Sequence, residues 1–402
     1  MSLDSYVTLG RSGLRVSPFT LGTMTFGEDL GWGSSPQESA NILAAYLDRG
    51  GNSIDTANIY TNGHSEKIIG DYFAGRSALR DRVVIGTKFF GNLYENDPNG
   101  GGPGRKSIVQ QLENSLRRLQ TDYVDIYWLH NFDPSTPVEE TLRALDDLIS
   151  DGKVRYVGFS DVPAWAAAEA ATIARFRGWA PIIALQLEYS LLERTSEGEL
   201  IPMAQALGMG VMPWGPLKSG FLSGKYSSTT TGPVDTTRTQ LVGAPSEADY
   251  VVIDALDAVA REVGASPAAV ALAWVQGRPG ITSTLVGARR IDQFEANLQA
   301  LDMTLTEAQR GVLDDVFHSH AELPGPQQQD VGANDPVRRS HRGRAPVDGV
   351  PATAGQQRPL LTRAAGSGPR GRPGTVRPPD SERTQRMPLP RQVRHQEMLD
   401  GS

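Results

Sequence analysis

The sequence predicts an α/β fold: a (β/α)8 TIM barrel with an N-terminal β-hairpin and a disordered C-terminal tail. Three observations predict it. Eight short apolar runs rich in β-branched residues recur over the first 320 or so residues. Each run is followed by a longer segment with helical period. The runs are continuously apolar rather than alternating, as expected of a parallel sheet covered by helices. Eight is also the number of repeats that closes a barrel. The competing architecture, a doubly wound sheet, fits poorly. No G-x-G-x-x-G follows the first run, and no G-x-x-x-x-G-K-[ST] occurs anywhere.

The elements follow in order. Val7-Thr8-Leu9 and Leu14-Arg15-Val16 flank Gly10–Gly13 and predict a hairpin able to plug the N-terminal end of the barrel. The eight strand runs are Phe19–Leu21, Ser53–Asp55, Val83–Gly86, Val124–Leu129, Val154–Phe159, Ile182–Leu187, Gly210–Met212 and Thr282–Val286. Helix starts are marked between them. Ser35-Pro36-Gln37-Glu38 predicts a serine cap, proline at the first helical position and a glutamate reaching back. Thr136-Pro137-Val138-Glu139 repeats the device, and Ser266-Pro267 opens another helix. Ile108, Leu112, Leu116 and Leu119 line one helical face, with Glu113 and Arg117 spaced to pair on its surface. The long gap from Trp214 to Gly280 predicts a Thr- and Gly-rich loop, Ser227–Ala244, then helices near Ser246–Gly264 and Ser266–Arg278.

Composition narrows the function. The 402 residues carry a net charge of −7, which gives no reason to expect nucleic acid or an anionic membrane as partner. There are no cysteines, so disulfides, thiolate catalysis and cysteine zinc sites are excluded, and no metal site is predicted. No basic segment followed by an apolar run opens the chain, and no stretch approaches a membrane span. A cytoplasmic location is the expectation. Nothing in the sequence specifies an oligomeric state.

The character changes after about His320. Residues 321–402 hold no Phe, Trp, Tyr or Lys, 13 Arg against 8 acidic residues, and 12 of the 27 prolines. Such a segment buries too little apolar surface to offset its ordering entropy, so disorder is predicted. The preceding residues, 1–320, form the predicted barrel domain. They carry 26 basic and 38 acidic residues, a net charge of −12. The tail is therefore a basic arm on an acidic body, with an anionic partner as its functional reading and an unselected extension as the favoured one.

In such a barrel the chemistry lies at the C-terminal ends of the strands. The second run is followed by Asp55 and Tyr60, the third by Thr87-Lys88, and the fourth by His130. Ser160-Asp161 ends the fifth run, Gln186 the sixth, Trp214-Gly215-Pro216-Leu217 the seventh and Gly287-Ala288-Arg289-Arg290 the eighth. Asp55, Tyr60, Lys88 and His130 can act together. A phenol near pKa 10 is a poor acid at neutral pH, and an adjacent ammonium is expected to lower that pKa. Asp55 would hold the ammonium, and His130 would hydrogen-bond the substrate oxygen. Singly, each residue reads more simply as a helix cap, a rim aromatic, a solvated charge or a structural histidine. Four complementary groups after three consecutive strands favour the joint reading.

Over about Tyr6 to Phe317 the chain resembles the aldo-keto reductase family, in the branch of aryl-alcohol dehydrogenase-like enzymes and potassium-channel β subunits. The matching stretches are Leu21-Gly22-Thr23-Met24-Thr25-Phe26-Gly27, Asp55-Thr56-Ala57-x-x-Tyr60, Gly86-Thr87-Lys88, Leu129-His130-x-x-Asp133, Gly152-Lys153-Val154-Arg155-x-x-Gly158, Trp214-Gly215-Pro216-Leu217 and Val286-Gly287-Ala288-Arg289. Their order and spacing carry the specificity. The resemblance implies that the catalytic tetrad falls on Asp55, Tyr60, Lys88 and His130, with Tyr60 as general acid–base. It implies NADPH/NADP+ as cofactor and a small-molecule carbonyl as substrate. Gly22, Thr23, Met24 and Asp55 would sit near the nicotinamide ribose. Ser160, Asp161 and Gln186 would bind the carboxamide, and Trp214 would stack on the ring. Gly215, Pro216, Leu217 and Lys225 would follow the pyrophosphate. Gly287, Arg289, Gln293 and Asn297 would hold the adenosine end. Arg289 and Arg290 just before a helix start favour a 2′-phosphate, hence NADPH over NADH.

Two departures matter. Many members have Ser-Asn where this chain has Ser160-Asp161. A carboxylate accepts from an amide NH2 but cannot donate to its oxygen, so altered cofactor affinity is expected. The second is the tail, where members have a more apolar segment. Back-translating Gln328–Val337 and shifting one base yields Asn-Arg-Thr-Leu-Ala-Pro-Met-Ile-Gln, similar to the family's C-terminal stretch, so a frameshifted C-terminus is the expectation. The readings of function are a working reductase, a redox-sensing NADPH-binding regulatory subunit, and a ketosugar or secondary-metabolite ketoreductase. Trp32, Phe26, Phe89, Phe90, Tyr94, Asn131 and Phe132 are the expected pocket wall, suiting a flat or apolar substrate.

Overall fold

The computed structural model describes residues 1–94, 96–229 and 243–321, with side chains up to 317. The expectations for the tail beyond Ala321, and for the middle of the Thr- and Gly-rich loop, lie outside the described residues.

Two short antiparallel strands, β1 (Val7–Thr8) and β2 (Arg15–Val16), form the predicted hairpin. Eight parallel strands follow: β3 (Phe19–Gly22), β4 (Ser53–Asp55), β5 (Val84–Phe89), β6 (Val124–Leu129), β7 (Val154–Ser160), β8 (Ile182–Glu188), β9 (Gly210–Trp214) and β10 (Thr284–Val286). Their order is β10-β3-β4-β5-β6-β7-β8-β9. A parallel bridge between Val211 and Ile281 nearly closes the ring between β9 and β10. This is the (β/α)8 barrel that the eight runs predict.

The interior is packed, as it must be for strands whose residues are buried on both faces. Trp128 on β6 is fully buried and fills the middle. A Cβ at Gly158 would lie 2.2 Å from its ring, and one at Gly86 would lie 2.7 Å from its Nε1. Both glycines therefore make room for the indole. The hairpin closes the far end, where Leu9 and Val16 are fully buried against Val84, Ile126, Trp128, Ile183, Met212 and Leu285. Each buried aliphatic side chain contributes about 1.5–3 kcal/mol. Gly10 takes φ +57 in this turn, and a Cβ there would lie 2.2 Å from the Ile183 carbonyl oxygen. That turn needs glycine for both its φ and its space.

The helices pack outside the barrel. Helix Arg105–Leu119 buries Ile108, Leu112, Leu116 and Leu119, as its period predicts. Its Glu113 does not pair with Arg117, however. Glu113 takes Lys153 from the loop before β7, and Arg117 donates to Asn114. Ser35 caps helix Pro36–Asp48 by accepting from Glu38 N–H at 3.2 Å. The Glu38 carboxylate does not reach back to the cap; it accepts from Ile291 N–H at 2.7 Å. Thr136 is likewise diverted. Its hydroxyl donates to Asp133 at 2.7 Å, and helix Val138–Ser150 starts without a side-chain cap. Ser266 caps helix Pro267–Gln276 as expected, accepting from Ala269 N–H at 3.1 Å. The predicted helix before it is Glu247–Val263. No helix among the described residues is long and apolar enough to cross a membrane.

Candidate active site

The barrel's register sets the site. Parallel pairing aligns Asp55 with Gly22 on one side and Gly86 on the other, so β3 and β4 end at one level and β5 runs on beyond it to Phe89. Asp55 ends β4, and Lys88 lies two residues further along β5 than the residue opposite Asp55. Side chains two apart on a strand share a face, so Lys88 points inward one layer above Gly86.

The Lys88 ammonium is fully buried and fully used. It donates to Asp55 Oδ1, to the Thr56 carbonyl oxygen at 2.9 Å and to the Tyr60 hydroxyl at 3.1 Å. The other Asp55 oxygen accepts from Gln186 Nε2 at 2.9 Å. Burial pulls the Lys88 pKa down, but Asp55 and Tyr60 together outweigh it and hold the ammonium above its ordinary value. The lysine therefore stays cationic.

Tyr60 is aimed by a strained turn. It is followed by Thr61, Asn62 and Gly63 at φ +46, +56 and +89. A β-branched residue in the left-handed region is unusual and is held by its surroundings. Here the Thr61 hydroxyl donates to the Phe26 carbonyl at 2.8 Å and accepts from Ser65 N–H at 3.1 Å. The Tyr60 phenol does not follow the simple expectation. Burial is the largest influence and outweighs the attraction of Lys88, so its pKa lies above the ordinary value rather than below it. Tyr60 is thus a firmly protonated donor, with the ammonium placed to receive the phenolate that forms on proton release.

His130 stands one residue beyond β6, its N–H donating to the Phe89 carbonyl at 3.0 Å. Its ring meets the Tyr60 ring edge-on, with centroids 5.9 Å apart and planes at 80°. Burial first, and then the Lys88 charge, push its pKa down to about 3. The imidazole is neutral, and its nitrogens have no protein partner among the described residues. It is free to give one N–H to a ligand oxygen.

The β7–β9 side carries the predicted ring-binding residues. Trp214 Nε1 donates to Asp161 Oδ1 at 3.0 Å, and the Ser160 hydroxyl donates to Asp161 Oδ2 at 3.3 Å. Gln186 is also in place, but its Nε2 is already committed to Asp55, leaving its oxygen for other partners. Beyond Trp214, Gly215, Lys218, Ser219 and Gly220 all have positive φ. Turns of this kind form backbone concavities that accept anions. Pro216 is buried and Leu217 half-buried, while Lys225 is exposed at the end of this loop. At the β3–β10 junction, Gly22 and Gly287 leave the floor bare; a Cβ on Gly287 would lie 3.4 Å from the Gly22 oxygen. Thr23 is fully buried and donates to the Asp55 carbonyl at 2.9 Å, which ties the end of β3 to the end of β4. Met24 is exposed. Gln293 accepts from Arg289 N–H at 3.2 Å and Asn297 donates to the Gly287 carbonyl at 3.5 Å, so both shape the 287–289 loop. Arg290 is held by Asp292 at 2.5 Å. A bare glycine floor, a positive-φ loop, an aromatic plate and amide and hydroxyl groups suit a dinucleotide.

Some residues depart from expectation, and others went unforeseen. Phe26 and Phe89 are fully buried core residues and not pocket wall. Phe132 packs edge-on against the exposed Trp165 at 5.5 Å and lines a cleft of about 270 Å³ between the β6 and β7 loops. Glu188 and Glu193, which share Lys218 at 2.7 and 3.4 Å, carry no sequence signal beyond their charge.

A parallel eight-stranded barrel with a half-buried phenol on a buried ammonium–carboxylate pair at the C-terminal mouth defines a class of oxidoreductase barrels, and the comparisons agree. The chain belongs to the aldo/keto reductase family, whose model matches residues 18–317. Among its relatives is the uncharacterized oxidoreductase YrpG of Bacillus subtilis, 36% identical over 80% of this chain and 96% of its own length. The putative aryl-alcohol dehydrogenase AAD14 of Saccharomyces cerevisiae is 36% identical over 76% of this chain and 84% of its own. A putative voltage-gated potassium channel subunit beta of Schizosaccharomyces pombe is 37% identical over 73% and 87%.

Proposed function

We propose that this chain is an NADPH-dependent carbonyl reductase with Tyr60 as general acid, working reversibly on an aldehyde or ketone. The observation that carries this reading is the Tyr60 hydroxyl at 3.1 Å from a buried, cationic Lys88, beside a neutral imidazole. When bound in this mouth, a reduced nicotinamide would supply the hydride for the carbonyl carbon. Tyr60 gives its proton to the carbonyl oxygen, completing the alcohol. Lys88 stabilises the resulting phenolate, and Asp55 and Gln186 keep Lys88 in place. His130 donates to the substrate oxygen and steadies its developing charge. Trp214 would stack on the ring, Ser160, Asp161 and Gln186 would address the carboxamide, and Arg289 would favour a 2′-phosphate.

The test is a panel of aromatic and aliphatic carbonyls with NADPH, run on wild type and Tyr60→Phe. Removing a general acid costs on the order of 10²–10⁴-fold. We expect Tyr60→Phe to keep NADPH affinity and lose reduction by that factor. Equal rates in the two proteins would remove Tyr60 from the mechanism. The relative named as a channel subunit supports a second reading, an NADPH-binding regulatory subunit. Tight NADPH binding with no turnover across the panel would favour it.

A further inference from the structure

Asp161 follows β7 at φ +50, in the left-handed region that Asp and Asn tolerate best among residues with a side chain. Its two oxygens accept from neutral donors only, the Trp214 indole at 3.0 Å and the Ser160 hydroxyl at 3.3 Å. The other carboxylates of this mouth are matched by cations. Asp55 holds Lys88, and Glu188 and Glu193 share Lys218. No basic side chain among the described residues lies within ion-pair distance of Asp161. The charged groups that act on it are Glu188 from β8, which repels it, and Lys88 from β5, which attracts it more weakly. A lone negative charge is therefore tied to the indole of Trp214.

We propose that Asp161 biases the site toward the oxidised, cationic form of its nicotinamide cofactor over the reduced, neutral form. The inference rests on the proposed reading of this mouth as a nicotinamide site. Loss of a hydride, two electrons with one proton, takes the ring from neutral to a charge of +1. A fixed carboxylate beside the stacking plate stabilises the cation and leaves the neutral ring almost unaffected. An amide side chain at this position would not discriminate in this way. The consequence is tighter retention of the oxidised cofactor after carbonyl reduction and an on-enzyme equilibrium shifted toward oxidised cofactor and alcohol, the direction of carbonyl reduction.

Asp161→Asn is nearly isosteric, tolerates the same φ and keeps an oxygen for the Trp214 N–H. Binding of NADPH and of NADP+ to the full chain would be titrated separately at pH 8, by tryptophan fluorescence or calorimetry. We expect the ratio of the two dissociation constants to shift about three- to tenfold toward NADPH in the variant, as expected for loss of one partly screened charge. A purely structural role for Asp161 would move both constants together.

A second measurement uses wild type alone. Burial, with Glu188 adding to it, pushes the Asp161 carboxyl up to about 6, although exposure of the residue at the mouth lets solvent moderate that rise. Below that pH the carboxyl is protonated and neutral. The wild-type preference for NADP+ should therefore fade between pH 8 and pH 5.5, while Asp161→Asn stays flat over the same range. An unchanged ratio in the variant at pH 8 overturns the inference and leaves the nicotinamide reading standing. Failure of wild type to bind either form overturns both.

Discussion

The two sides of the barrel mouth handle charge in opposite ways. On the β4–β6 side, Asp55 and Lys88 are buried and matched one to one, and the nearby imidazole is neutral. On the β7–β9 side, Glu188, Glu193 and Lys218 remain partly open to solvent, and Asp161 has no cation of its own among the described residues. The first side has its electrostatics settled before any ligand arrives, which suits proton transfer to a fixed point. The second leaves charge for a ligand to complete.

The largest expected effect tests the closed side. Lys88→Met would leave the Asp55 carboxylate buried without its cation. Breaking such a pair costs about 3–5 kcal/mol, so a clear fall in thermal or urea stability is expected. Replacing both partners, Asp55→Leu with Lys88→Met, should recover much of that loss, because two matched apolar groups leave no uncompensated charge. On the open side, Lys218→Met should cost about 1 kcal/mol or less, since water reaches Glu188. Similar losses for the two single variants would erase the contrast.

A smaller effect concerns His130. Its pKa is pushed down to about 3, so above pH 5 there is no imidazolium to lose. His130→Phe should lower turnover at least tenfold through the lost N–H donor. It should not remove any limb of the pH–rate profile near 6.5. A limb there in wild type that vanishes in the variant would mean that the imidazole titrates in the working range.

The smallest effect is expected at the adenosine end. The Glu38 carboxylate occupies the first N–H of helix Ile291–Leu298, where a 2′-phosphate was expected to find favourable donors. Glu38→Gln should raise the NADPH-over-NADH ratio of kcat/KM about two- to threefold, the size of one exposed charge near a helix end. No change would place the 2′-position away from this helix.

Much of this was legible in the sequence, for identifiable reasons. The strands were readable because doubly buried parallel strands are continuously apolar, so Ser53–Asp55 and Val124–Leu129 stand out with their observed limits. Asp55, Tyr60, Lys88 and His130 were readable because strand ends in a barrel share one rim. Errors came where two local rules competed or a distant residue intervened. Glu38 satisfies the capping spacing yet bonds Ile291, 253 residues away. Glu113 has a helical partner at the right spacing yet takes Lys153. Phe26 and Phe89 lie next to the mouth in sequence but are fully buried in the core.

By itself, the sequence determined the barrel, its plug and the identities of the groups at the mouth, because period and punctuation act over a few residues. Only the tertiary structure decided the protonation and pairing of those groups. Whether the Tyr60 phenol is raised or lowered, whether His130 is charged and whether Asp161 has a counter-ion all depend on burial set against distance. Residues brought together by barrel closure set that balance, such as Gln186 against Asp55 across 131 positions.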